Sequence, residues 1–171
     1  MCSSDLSRSM ARCHRHSPYK VTVELDFGGV IRGCAADRTD GTWITEQVIE
    51  AWLALSQRGD AHSVEVWQDG HLIGGLYGMA VGQLFCAESM FSTRPNASKT
   101  ALMLLCRHLS AHGGQLIDCQ ILNPHIASLG AREFPPEAHL QQVALFRPRL
   151  SYVGVRLRVV QGNCGGIAGS R

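Results

Sequence analysis

Asp118 and Gln120 stand two residues apart at the end of the apolar run QLIDCQ (115–120). Side chains alternate along an extended strand, so these two face one way while Ile117 and Cys119 face the other. An acid and a primary amide closing an apolar strand need hydrogen-bonding partners or water. The pair reads in two ways: as a polar closure of the sheet edge, or as a carboxylate that orients an amide to hold a reacting amine or carbonyl. Glu88-Ser89-Met90-Phe91-Ser92 is a second unusual segment. Met90 and Phe91 fall in or beside a loop, where apolar groups either pack onto the core or line a pocket. Leu76, Phe85 and Met90 come from elements expected to be adjacent, which adds weight to the pocket. Gly74, Gly75 and Gly78 remove side-chain bulk from the preceding strand. They either let a ligand backbone approach or mark a bulge.

Other chemistry-bearing residues point nowhere as sharply. His108 and His112 are four apart on an expected helix, a spacing that can present two imidazoles to a metal. No H-E-x-x-H pattern and no third ligand accompany them, so they are expected to face solvent and no metal is expected. Seven cysteines are scattered, odd in number and never form C-x-x-C, which argues against a disulfide framework or a cysteine-rich zinc site. Most are expected to be small buried residues.

The elements that must position these groups can be read from periodicity. Residues 6–16 predict a short basic helix with Arg8, Arg12 and Arg15 on one face. That face is either solvated or a phosphate-contacting patch. VTVELDF (21–27) predicts a strand and FGGVIRGCAAD (27–37) a helix. Thr45 caps a helix running to Gly59, with Val48, Ile49, Trp52, Leu53 and Leu55 as its buried face. HSVEVWQ (62–68), the turn Asp69-Gly70 and HLIGGLYGMA (71–80) form the clearest hairpin. QLFCAE (83–88) is the next antiparallel strand, followed by a loop, SMFSTRPN. A helix over 97–112 is ended by Gly113-Gly114. The strand 115–120, a short helix from near Asn123 and a last helix around 136–144 complete the series. The fold class is α/β, an α+β mixed sheet flanked by helices. Its element order resembles the acyltransferase fold of GNAT type.

Bulk properties bound the rest. A chain of 171 residues, 45% hydrophobic and 18% charged, fits one ordinary globular domain. No apolar run approaches the roughly 20 residues that span a bilayer, and the first residues lack a secretory h-region. A cytoplasmic location without membrane partners is therefore expected. The net charge of +2 hides an asymmetry, because no acid follows Glu137 while Arg147, Arg149, Arg156, Arg158 and Arg171 do. Overall charge thus makes no case for nucleic acid, and any such case must rest on local patches.

The stretches DGTWIT (40–45), AHSVEVW (61–67), IGGLYG (73–78), LFCAESMFS (84–92), NASKTAL (96–102), LIDCQ (116–120) and ASLGAREFP (127–135) together resemble leucyl/phenylalanyl-tRNA–protein transferases. The likeness runs in order from about Leu6 to about Val143. It implies transfer of Leu or Phe from aminoacyl-tRNA onto the N-terminal Lys or Arg of acceptor proteins, marking them for degradation. A flexible pocket would also take Met. The implied fold is a GNAT-like domain, monomeric, with no cofactor. Matched position by position, Leu76, Phe85, Met90, Leu105 and Ile117 would line the pocket for the Leu or Phe side chain. Trp43 would help hold the terminal adenosine or aminoacyl group, Glu88 would contact incoming substrate, and Asp118 and Gln120 would sit at the reacting centre. The resemblance also turns Arg8, Arg12 and Arg15 toward tRNA phosphates.

Two departures accompany it. The family's N-terminal domain, with its G-I-F-P-W and W-W-S-P type motifs, has no counterpart in this sequence. After about Val143 the Arg-rich, Gly-rich, acid-free tail no longer resembles the family. The expected division is a basic helical remnant at 1–20, a catalytic domain at 21–144 and a divergent, flexible tail at 145–171. Two other functions remain open from sequence. One is a non-catalytic tRNA- or peptide-binding fragment. The other is a CoA-dependent N-acyltransferase, against which stands STRPNAS, lacking the pyrophosphate loop of CoA-using relatives.

Overall fold

The computed structural model describes residues 18–36, 41–133, 135, 137 and 162–163. The residues expected to form a basic helix bearing Arg8, Arg12 and Arg15, the helix expected around 136–144 apart from Glu137, and most of the tail lie outside the described residues.

Six strands make one mixed sheet: β1 (Lys20–Val23), β2 (Ala61–Gln68), β3 (His71–Val81), β4 (Leu84–Ser92), β5 (Leu116–Asp118) and β6 (Gly162–Asn163). Their order is β5-β4-β3-β2-β1-β6, and every pair is antiparallel except β4–β5. Helices α1 (Phe27–Ala36) and α2 (Glu46–Arg58) precede the hairpin. Helix α3 (Ala97–Ala111) crosses from β4 to β5, and α4 (Pro124–Ser128) follows β5. The sequence of hairpin, strand, long helix and parallel strand is the order expected of the GNAT type.

Local chemistry explains the boundaries. Asp69 and Gly70 both have positive φ, 50° and 79°, as a tight two-residue hairpin turn requires. Thr45 accepts the Val48 N–H, and Gly59 ends α2 in the left-handed conformation. Asn123 caps α4 by accepting the Ile126 N–H.

Alternation divides the apolar residues between two faces. One core holds Val21, Val23, Val64, Val66, Leu76 and Phe85 from the strands with Ala101, Leu102, Leu105 and Leu109 from α3. The other holds Phe27, Val30, Ile31 and Cys34 of α1 with Ile49 of α2, Tyr77 and Phe91. Tyr77 anchors this second core through edge contacts to Phe27 and Trp52. The burial at this site is worth about 2–3 kcal/mol for a large side chain.

Three boundaries differ from expectation. Strand β4 runs on to Ser92, because the long β3 offers partners as far as Gly74. A bulge at Glu88 breaks its alternation, which is why residues 89–92 read as loop. Strand β1 ends at Val23, because Glu24 turns into the left-handed region at φ 58°. Strand β5 ends at Asp118 rather than Gln120.

Candidate functional site

Strand β5 pairs with β4 over only three residues, Leu84–Leu116, Phe85–Ile117 and Cys86–Asp118. Beyond that point β4 continues on β3 alone, so the two parallel strands part just past Cys86 and Asp118. Tyr77 pairs with Ser89 and Gly78 with Ala87, which leaves Glu88 as the extra residue of a bulge. A bulge bends its strand and re-aims the side chain it carries. A Cβ at Gly78 would collide with the Cys86 carbonyl and the Phe85 ring, so the bulge needs glycine there.

The chain leaves β5 through a three-residue turn. The Ile121 N–H donates to the Cys119 carbonyl at 2.7 Å, with Gln120 at its centre at φ 60°. Such turns with positive φ are rare and strained, and a non-glycine residue in this region costs of order 1–3 kcal/mol. Two carboxylates hold it. Asp118 Oδ1 accepts the Gln120 backbone N–H at 2.8 Å, and Glu88 Oε2 accepts from Gln120 Nε2 at 2.8 Å. The bulge therefore supplies one end of a clamp and the strand terminus the other. Asp118 and Glu88 are half-buried and Gln120 is exposed. The expectation that Asp118 and Gln120 share a strand face is corrected accordingly: Gln120 is off the strand, and the turn, not alternation, aims its amide. Burial raises the Cys86 thiol above its ordinary range, with Asp118 and Glu88 adding to the effect, so a protonated, sluggish thiol lies between the two acids.

The five candidate pocket residues meet in one place. Leu76, Phe85 and Leu105 are fully buried and Ile117 is 9% exposed, all within the α3-side core. Met90 packs against them while remaining partly accessible. Leu76 and Met90 are direct cross-strand partners. The glycines do not open this region. A Cβ at Gly74 would lie 2.6 Å from Ala97 Cβ, and one at Gly75 would lie 2.7 Å from the Val64 carbonyl. The room they leave is taken by α3, α1 and backbone, and Gly78 belongs to the bulge. Trp43 is exposed and so is not one of the buried residues of this cluster. It precedes α2, 45% exposed, next to Ile44 of the opposite core. Ile121 and Leu122 are exposed beside Gln120.

His112 is exposed as expected, whereas His108 departs from expectation. Their rings stack at 4.1 Å, and His108 Nε2 is buried instead of facing solvent. Among the described residues no group of three or more His, Cys, Asp or Glu side chains is placed to hold a metal ion. None of the described helices is long and apolar enough to cross a membrane. Sequence reasoning missed the contact between Glu24 and His62. The available signal was that His62 precedes Val64 and Val66 at the strand's two-residue period, which places it on their buried face.

Comparison with known proteins supplies what geometry alone does not. Solved structures similar to this chain include an aminoglycoside acetyltransferase from a soil metagenome in complex with trehalose, at TM-score 0.49 and 12% identity over 78% of this chain and 90% of that one. A ribosomal-protein-alanine N-acetyltransferase from Brucella melitensis aligns at TM-score 0.44 and 11% identity, over 79% of this chain and 96% of that one. Curated relatives named leucyl/phenylalanyl-tRNA–protein transferase are far nearer in sequence. One from Shigella dysenteriae is 56% identical over 145 residues, 85% of this chain and 62% of the relative. Another from Erwinia tasmaniensis is 57% identical over 84% of this chain and 63% of the relative. The chain thus spans less than two thirds of the length of these relatives. The family profile for leucyl/phenylalanyl-tRNA protein transferase matches residues 2–144, well over half of the sequence. On that match, this chain belongs to the leucyl/phenylalanyl-tRNA protein transferase family.

Proposed function

We propose that residues 21–144 form the catalytic part of an aminoacyltransferase that moves Leu or Phe, and also Met, from aminoacyl-tRNA to the N-terminal Lys or Arg of acceptor proteins, marking them for degradation. It acts in the cytoplasm as a monomer without a cofactor. The observation that carries this reading is Gln120, held in a strained turn between Glu88 and Asp118 beside the Leu76–Met90 apolar cluster.

An aminoacyl ester is already activated, so aminolysis chiefly needs amine and carbonyl to be aligned. The α-amine has a reference pKa of about 7.7–8.0, so a useful fraction is neutral near neutral pH. It attacks the ester carbonyl carbon; the new C–N bond forms, the C–O bond to the ribose breaks, and the proton lost by the amine goes to the departing ribose oxygen. Glu88 can only accept, so one Nε2–H of Gln120 is committed to it. This leaves the Gln120 carbonyl oxygen as an acceptor for the incoming amine. The remaining Nε2–H can support charge developing on the ester oxygen. Asp118, acting through the Gln120 backbone N–H, is a positioning residue. The acids Glu88 and Asp118 also suit a cationic acceptor terminus. Leu76, Phe85, Leu105 and Ile117, buried in the α3-side core, become the walls for the Leu or Phe side chain when Met90, its adaptable and partly accessible side, moves aside. Trp43 helps hold the terminal adenosine or the aminoacyl group. Arg8, Arg12 and Arg15 contact tRNA phosphates.

The test is transfer of labelled phenylalanine from tRNA to a peptide beginning with Arg, with acetyl-CoA binding measured in parallel. Transfer that falls sharply in Gln120→Ala supports the reading. Binding of acetyl-CoA with no transfer would replace it with a CoA-dependent activity. Binding of tRNA or peptide without transfer would reduce the chain to a binding fragment.

A further inference from the structure

A second set of titratable side chains lies on the α3 face, outside the Glu88–Gln120–Asp118 site. Glu24 follows β1 in the left-handed conformation at φ 58°, held there as its N–H donates to the Ser63 carbonyl at 3.1 Å. Its carboxylate meets Nδ1 of His62, which is almost fully buried on β2. From α3, His108 presents an Nε2 that is buried and has no hydrogen-bond partner among the described residues. Glu24 and His62 both act electrostatically on this imidazole, in opposite directions. His112, one turn further along α3, stacks on it at 4.1 Å and 24° and donates from Nδ1 to the His108 carbonyl at 2.7 Å. The strand side chains that face α3 here are otherwise apolar: Val21, Val23, Val64, Val66, Leu76 and Phe85. Glu24 and His62 are thus the titratable groups opposing His108 from the sheet, and His112 the one from its own helix.

The cluster holds three imidazoles and one carboxylate, and that carboxylate is already committed to His62. Protonating His108 would place an N–H donor and a charge at a buried atom with no acceptor, a costly arrangement. The same charge would stack on His112 and face His62. We propose that Glu24, His62, His108 and His112 form an acid-sensitive latch centred on His108: while its imidazole is neutral the C-terminal turns of α3 seat against β1 and β2, and acidification loosens them. Because α3 also carries Leu105, loosening reaches the apolar cluster around Met90.

The sign follows from linkage. Burial first, then His112, lowers the proton affinity of folded His108, with His62 adding and Glu24 opposing. An unfolded histidine binds its proton near about pH 6.5, so the unfolded state takes up more protons below that value. Stability from this group is complete above the ordinary histidine range and lost as the pH falls through it toward the folded value.

Amide-exchange protection of residues 105–111 in the full chain, corrected for the intrinsic pH dependence of exchange, is the direct test. From about pH 7.5 to about pH 5.5, across the ordinary histidine range, protection should fall several-fold in the wild type. It should change little in His108→Phe, which keeps a ring and removes the proton site. Imidazole NMR of the wild type provides a second measurement that needs no variant: His108 should remain neutral at pH values where an exposed histidine is half protonated. Equal pH slopes in wild type and variant, or ordinary titration of His108, would overturn the latch.

Discussion

Gln120 brings strain and function onto one residue. Its left-handed backbone would be relaxed by glycine, while its amide is the group the proposed chemistry requires. Gln120→Gly should therefore leave stability unchanged or raise it by up to about 1 kcal/mol, as read by urea denaturation, while transfer is lost. A large destabilisation would mean that the two carboxylate contacts hold the fold rather than aim a catalytic group. Cys86 reports on the same charges. Asp118 and Glu88 help burial to hold its thiol protonated, so Glu88→Gln should speed alkylation of Cys86 near neutral pH. An unchanged rate would argue against the charge placement. At this scale the sequence revealed Asp118, Gln120 and Glu88 as unusual, but not how they are joined. The clamp depends on a bulge and a strained turn, both of which break the period from which side-chain direction is read.

Among elements, the sheet is held in register by a polar network as well as by apolar packing. Glu65 is fully buried and accepts from Thr22 Oγ1 at 2.6 Å, Ser63 Oγ at 2.5 Å and the Leu25 N–H at 3.3 Å, while Trp67 Nε1 donates to Thr22 at 2.8 Å. Glu65→Ala would orphan these donors. It should cost about 1–3 kcal/mol for each group left unsatisfied, measured as a drop in the urea midpoint. Gly74 is an equally sharp constraint, because a Cβ there would lie 2.6 Å from Ala97 Cβ and 3.1 Å from the Phe91 carbonyl. Gly74→Val should destabilise by about 1–3 kcal/mol through overpacking, lifting the first turn of α3 from the sheet. Hairpin, caps and helices were legible because each carries its own local signal, such as Asp69-Gly70, Thr45 and Asn123. The far half of β4 was not, because only its partner β3 makes it a strand.

For the whole molecule, family membership was legible as an ordered series of short stretches, and the matched profile covers them from residue 2 to 144. What could not be read is long-range: that Leu76, Phe85, Leu105 and Ile117 fall in one buried cluster with Met90 packed against it. The proposed recognition of tRNA draws on charge spread over the whole chain. Each phosphate contact contributes about one unit to the slope of log affinity against log salt. Arg12→Glu should therefore raise the KM for aminoacyl-tRNA and flatten its salt dependence, and an unchanged slope would remove the N-terminal arginines from the interface.

In the proposed reaction the clamped Gln120 amide aligns the acceptor amine with the ester. This alignment is tested most directly by single-turnover transfer of phenylalanine from tRNA to an Arg-initiated peptide, with both substrates saturating. The wild-type chain should transfer. Gln120→Ala should be slower by about 10²-fold or more, the scale of losing one preorganised polar group, with its affinity for Phe-tRNA unchanged. A Gln120→Ala chain that transfers at the wild-type rate would contradict the account.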